Sequence, residues 1–145
     1  MCVKVMITDD HTMMREGIRH LLEFDGSVKV IAEAKDGNEC LEVLRSLKEL
    51  PEVLLLDINM PDMDGFAVME KIRAREETAS IPVIFLPADN LAETEIKCFR
   101  MGAMDFVAKP FVPDILLSRV AKTIELDQYR HNLEKMVKEQ ADKLT

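Results

Sequence analysis

The sequence predicts an α/β fold, a doubly wound sheet of five parallel strands with helices on both faces and a final helix extended beyond the domain. Three observations predict it. Five short apolar runs rich in Val, Ile and Leu alternate with five stretches whose apolar residues recur at helical spacing. The runs are nearly continuous, as strands buried on both faces require. From Ile124 to Leu144 no Gly or Pro interrupts a charged sequence suited to helix.

The elements follow in order. Val3 to Ile7 reads as the first strand, ending in Thr8-Asp9-Asp10. Thr12 is placed to cap the next helix, whose stripe is Met14, Ile18, Leu21 and Leu22. Asp25-Gly26 breaks that helix, and Val28 to Ala32 is the second strand. Asp36-Gly37 reads as a turn before a helix with Leu41, Leu44 and Leu47 on one face, ending before Pro51. Val53 to Asp57 is the third strand, and Gly65 opens a helix buried through Phe66, Met69 and Ile72. Pro82 to Leu86 is the fourth, with proline at its first residue, where no donor is needed. Ile96, Phe99 and Met101 mark a helix terminated at Gly102. Asp105 to Ala108 is a short fifth strand running into Lys109-Pro110-Phe111. The last helix begins near Pro113 and offers Ile115, Leu116, Val120 and Ile124 to the core.

Beyond Ile124, Leu126, Tyr129, Leu133 and Met136 follow at 3-4-3 spacing, with Val137 and Leu144 beside them. That is a heptad seam of little more than two repeats, and a solvated tail reads equally well. The expected division is therefore a domain over 1–124 and a helical connector over 125–145.

Composition excludes several classes. A chain of 145 residues, 48% hydrophobic, suits one folded domain. A formal charge of −8 argues against direct nucleic-acid binding, which needs clustered Lys and Arg. Cys2, Cys40 and Cys98 are an odd number without C-x-x-C spacing, so free thiols in a reducing compartment are expected. No apolar leader precedes Asp9-Asp10, and the run from Val53 to Leu56 is far too short to span a bilayer. A cytoplasmic location with no membrane contact is the expectation.

The chemistry gathers at strand ends. In a parallel sheet the carboxyl ends of the strands share one edge, and in the order 2-1-3-4-5 the first and third strands are neighbours. Asp9 and Asp10 then meet Asp57, and Lys109 reaches the same edge from the fifth strand. Three clustered carboxylates repel unless a cation joins them. A hard divalent ion with oxygen ligands fits, and Mg²⁺ suits a site that also handles a phosphoryl group. The bland alternative, that Asp57 merely solvates a strand end, leaves the other acids and Lys109 unexplained.

Asp9-Asp10, Asp57-Ile58-Asn59-Met60-Pro61 through Asp64-Gly65, and Lys109-Pro110-Phe111 together resemble the receiver domain of response regulators, from about Val3 to Ile124. The resemblance implies the flavodoxin-like order 2-1-3-4-5. It implies that Asp57 accepts a phosphoryl group from a histidine kinase or phosphotransfer protein, with no turnover beyond slow self-dephosphorylation. It implies that Asp10 binds Mg²⁺ directly, Asp9 largely through water and Asn59 through its backbone carbonyl. Lys109 would pair with Asp57, and Lys109-Pro110 would be cis. Phe106 matches the aromatic that relays phosphorylation to the face of helix four, strand five and helix five. That face and the C-terminal helix are the expected homodimer surfaces.

One position departs from the family pattern. Pro87 stands where a Thr or Ser hydroxyl is usual, and proline offers neither hydroxyl nor N–H. Ala88 keeps a backbone N–H. Acceptance of the phosphoryl group is therefore expected to survive while coupling to Phe106 weakens. The alternative is a pseudo-receiver, the same fold used only for dimerisation or docking. A haloacid-dehalogenase-like phosphatase would need an acid where Asn59 stands, and a flavin carrier would need a Ser/Thr/Gly-rich loop after the first strand. The start, Asp9 to Gly17, resembles receivers attached to DNA-binding outputs, whereas Tyr129 to Glu134 resembles connectors to cyclic-dinucleotide enzymes.

Overall fold

The structure is a computed structural model that describes residues 3–24, 26–61 and 63–144. Its elements are β1 (Val3–Thr8), α1 (Thr12–Glu23), β2 (Val28–Ala34), α2 (Gly37–Ser46), β3 (Val53–Asp57), α3 (Gly65–Ala74), β4 (Val83–Leu86), α4 (Ala92–Arg100), β5 (Asp105–Phe106) and α5 (Pro113–Leu144). All strand pairs are parallel, as the sequence predicts, and the order is β2-β1-β3-β4-β5, as the family resemblance implies. Cys2 and Asp25 lie outside the described residues, as does the side chain of Leu144.

The central strand shows why its sequence does not alternate. Leu54 and Leu56 join one core with Val68, Met69 and Ile72 of α3, while Val53 and Leu55 join the other with Ile18, Leu22, Leu116 and Val120 of α1 and α5. Both faces are dry, so every position is apolar until Asp57. Register then places the chemistry. Thr8 is level with Leu56, which sets Asp9 beside Asp57. Asp57 is level with Leu86, so Pro87 lies one residue beyond it on the neighbouring strand.

The helix starts are fixed by short acids. Asp36 caps α2 by accepting from the Glu39 N–H at 2.8 Å, and Asp64 caps α3 through the Ala67 N–H at 2.8 Å. Thr12, expected as a cap, is instead the first residue of α1; His11 holds the extended cap conformation and makes no side-chain cap bond. Gly65 is dictated by space. A Cβ there would meet the Asp57 carbonyl oxygen at 2.5 Å and the Ile58 Cα at 2.9 Å. The start of α3 is thereby pressed against the backbone that carries Asp57.

Other expectations need correction. Ile115 of α5, expected in the core, is about half exposed; Ile96 and Phe99, which mark α4, are about half exposed too, and Cys98 is the buried residue of that helix. Ile115 lies off the buried stripe that Leu116, Val120, Thr123 and Ile124 form on α5, and β5 has two residues, not the four expected. Its pairing with β4 continues through single bonds, Val107 N–H to the Phe85 carbonyl at 2.9 Å and Lys109 N–H to the Pro87 carbonyl at 2.8 Å. Proline cannot return the donor that a parallel ladder would send back at that point.

The last helix runs unbroken for 32 residues. Leu116, Val120, Thr123 and Ile124 are buried, whereas Leu126, Tyr129, Leu133, Met136 and Val137 are 43–69% exposed. Among the described residues nothing covers that apolar stripe. No helix among the described residues is long and apolar enough to cross a membrane.

Candidate functional site

The site sits where β1, β3 and β5 end. Asp9 and Asp57 are buried, and Asp10 is partly so. Lys109 Nζ lies 2.7 Å from Asp9 Oδ2 and 3.2 Å from Asp57 Oδ1, bridging the two. The expected Lys109–Asp57 pair is present, but the shorter contact is to Asp9. Asp9 Oδ1 also accepts from the His11 N–H at 2.9 Å, so both Asp9 oxygens are engaged. Arg15 donates to the Asp9 carbonyl at 2.6 Å and fixes that loop against α1.

Asp57 Oδ2 and Asp10 Oδ1 are different. Both are buried and accept no hydrogen bond. His11 Nδ1 lies 3.1 Å from Asp10 Oδ1 without hydrogen-bond alignment. Buried acceptors without donors are costly, which marks them as places for a ligand. Burial, then the charge of Asp9, pushes the Asp57 carboxyl up to about 6 against the pull of Lys109. Burial draws Lys109 down, but its bonds to Asp9 and the charges of Asp57 and Asp9 outweigh that and hold it above the ordinary lysine value. Lys109 is therefore a fixed cation among three acids, and one charge does not balance them.

The donor set fits magnesium. Asp9, Asp10 and Asp57 offer carboxylate oxygens that, with a nitrogen of His11, lie within 4.8 Å of one another. Asp10 Oδ1 waits without a donor, and hard oxygen ligands suit a hard divalent ion. Asn59 is exposed just beyond the end of β3. The Lys109–Pro110 bond is cis, as the resemblance implies.

The relay residues lie one strand over. Pro87 is buried and Ala88 exposed at the end of β4. Phe106 is half-buried and meets the exposed Phe99 edge to face, ring centres 5.8 Å apart. Cys40 and Cys98 are free and buried, and burial pushes both thiols up to about 11, away from the thiolate form.

The structure places Asp9, Asp10, Asp57 and Lys109, the four residues singled out in the sequence, at one edge of the sheet. Sequence reasoning missed His11, although its place next to the acid pair was a signal. It also missed Arg15, whose role through a backbone carbonyl leaves no sequence trace, and the close approach of Gly65 to Asp57.

Similarity to known proteins agrees with this geometry. The family described as response regulator receiver domain matches residues 5–121. The chain is 38% identical over 108 residues to a protein-glutamate methylesterase/protein-glutamine glutaminase of Carboxydothermus hydrogenoformans, spanning 74% of this chain and 30% of that protein. A methylesterase/glutaminase of Methanococcoides burtonii is 39% identical over 110 residues, with the same coverage. This chain thus spans under a third of these curated relatives. Among solved structures, the receiver domain of the Francisella response regulator 1452 is 28% identical with a TM-score of 0.75, covering 85% of this chain and 97% of that one. The chemotaxis response regulator CheY4 of Vibrio cholerae is 27% identical with a TM-score of 0.75, covering 85% and 99%. The chain belongs to the response regulator receiver domain family of two-component signalling.

Proposed function

We propose that Asp57 accepts a phosphoryl group from a phosphohistidine on a histidine kinase or phosphotransfer protein. The observation that carries this is the buried Asp57 Oδ2, without a hydrogen-bond donor, on a carboxylate whose other oxygen is 3.2 Å from Lys109. Lys109 orients the carboxylate through Oδ1 and leaves Oδ2 to attack phosphorus. The P–N bond of the donor breaks as the O–P bond forms, and the freed imidazole takes up a proton. Lys109, anchored on Asp9 at 2.7 Å, remains close enough to pair with a phosphoryl oxygen afterwards.

Asp10, Asp57, the Asn59 backbone carbonyl and, through water, Asp9 would hold magnesium. Bound there, magnesium supplies charge neutralisation for a phosphate brought among carboxylates. Asn59 offers no general base two residues after Asp57, which favours a long-lived acyl phosphate over turnover. This is a signal-carrying modification of the chain rather than enzyme catalysis.

Residues 1–124 form the receiver unit, and 125–145 form a connector whose exposed stripe pairs with a second copy. The α4-β5-α5 face is the second dimer surface. The relatives named as methylesterases put an enzymatic output beside the DNA-binding and cyclic-dinucleotide outputs expected from the sequence. The setting that fits these readings is cytoplasmic, without membrane or nucleic-acid contact by this chain.

One observation favours a second reading. Pro87 is buried at the strand end with no hydroxyl to offer, as in a pseudo-receiver that docks or dimerises without phosphorylation. Incubation with acetyl phosphate and Mg²⁺, followed by intact mass, separates the two. A phosphoryl adduct on the wild type that is absent from Asp57→Asn supports acceptance; no adduct on either supports the pseudo-receiver.

A further inference from the structure

His11 belongs to the cluster yet has no structural task that accounts for it. It sits at the cap position of α1 but makes no side-chain cap bond. Its Nδ1 lies 3.1 Å from Asp10 Oδ1 and 3.4 Å from Asp9 Oδ1, and the imidazole is 71% exposed at the mouth of the site. Donor atoms about 2.1 Å from a common ion sit about 3.0 Å apart along an octahedral edge and about 3.4 Å along a tetrahedral one. The separations around His11 match that spacing. Independently, Asp10 Oδ1, the oxygen that faces His11, is a buried acceptor with no donor.

We propose that His11 supplies a nitrogen ligand that tilts this cluster from magnesium toward a borderline divalent transition ion of the iron-to-zinc series. The proposal rests on the reading of Asp10 and Asp57 as divalent-cation ligands and adds to it the identity of the ion. Carboxylate oxygens alone suit magnesium, which binds nitrogen poorly; imidazole suits zinc, copper, iron and nickel, and affinity rises along the series. An imidazole added to the acids therefore raises affinity for the transition ions far more than for magnesium. The receiver's ion would then follow metal availability, with His11 setting the preference.

The chain's other histidines provide the control. His131 lies on the exposed part of α5, 3.4 Å from Asp127 Oδ2 and 4.0 Å from Glu134 Oε2, and could bind a transition ion on its own. His20 lies in the last turn of α1. The experiment titrates the full chain, His11→Ala and His131→Ala with Zn²⁺ against a chromophoric chelator and with Mg²⁺ by calorimetry. Imidazole NMR resonances follow which ring responds.

The expected result is a Zn²⁺ dissociation constant raised about tenfold or more in His11→Ala, as loss of a ligand or its support requires. Mg²⁺ affinity should change little, and the His11 ring should shift on Zn²⁺ addition. Unchanged Zn²⁺ affinity in His11→Ala with Mg²⁺ binding intact overturns this inference alone. Zn²⁺ binding lost in His131→Ala instead of His11→Ala overturns it by moving the ion to α5. Absence of all divalent binding overturns it together with the magnesium assignment above.

Discussion

Neutralising Asp57 should stabilise the metal-free protein. Burial and the neighbouring Asp9 raise the Asp57 carboxyl from 3.8 to about 6 in the folded chain. The folded state therefore binds its proton more tightly than the unfolded state. Below about pH 4 the group is protonated in both states and costs nothing. As pH rises through about 6, the folded state must hold a buried charge and stability falls. Each tenfold in proton affinity is about 1.4 kcal/mol, so the loss above pH 6 approaches about 3 kcal/mol. Asp57→Asn keeps the shape and removes the charge. Urea unfolding in EDTA at pH 7.5 should show the variant more stable by up to about 3 kcal/mol, the gap shrinking toward pH 4.5. Magnesium added back should narrow the gap by stabilising the wild type. A variant no more stable than wild type at pH 7.5 would refute the argument, because Asp57 would then be sufficiently paired by Lys109.

Three further outcomes follow from particular contacts. Gly65→Ala should destabilise the fold by about 1–3 kcal/mol in urea unfolding, because its Cβ meets the Asp57 carbonyl at 2.5 Å; equal stability would show that α3 can back away freely. Pro87→Thr should enlarge the amide shifts seen at Phe106 on phosphorylation by restoring a hydroxyl; shifts as large in the wild type would show that the proline does not impair the relay. Removing residues 125–145 should convert a dimer to a monomer in ultracentrifugation, because the exposed stripe pairs two copies; the same number of chains per particle with and without the segment would remove that role.

The fold was legible because burial on both faces of a parallel sheet leaves a plain trace: five apolar runs, each ended by turn or acidic residues. The acids and Lys109 were legible because each stands at a strand end, and strand ends in such a sheet share one edge. What was hidden depends on three-dimensional detail. Ile115 is as apolar as its neighbour Leu116, yet the phase of α5 turns it off the buried stripe of Leu116, Val120 and Ile124. Gly65 looked like a helix start, and only the packing of α3 on Asp57 shows why no side chain fits. Arg15 acts through a backbone carbonyl, which no residue pattern records. The stripe after Ile124 is continuous helix, and its apolar residues stay exposed.

The central claim is that the buried, donor-free oxygen of Asp57 carries the phosphoryl group. The most direct measurement treats the chain with acetyl phosphate and Mg²⁺, reduces it with borohydride and maps the product by tandem mass spectrometry. Reduction converts an aspartyl phosphate to homoserine and so marks the residue itself. The account predicts homoserine at position 57 and at no other aspartate. Homoserine at Asp9 or Asp10, or none anywhere, would contradict it.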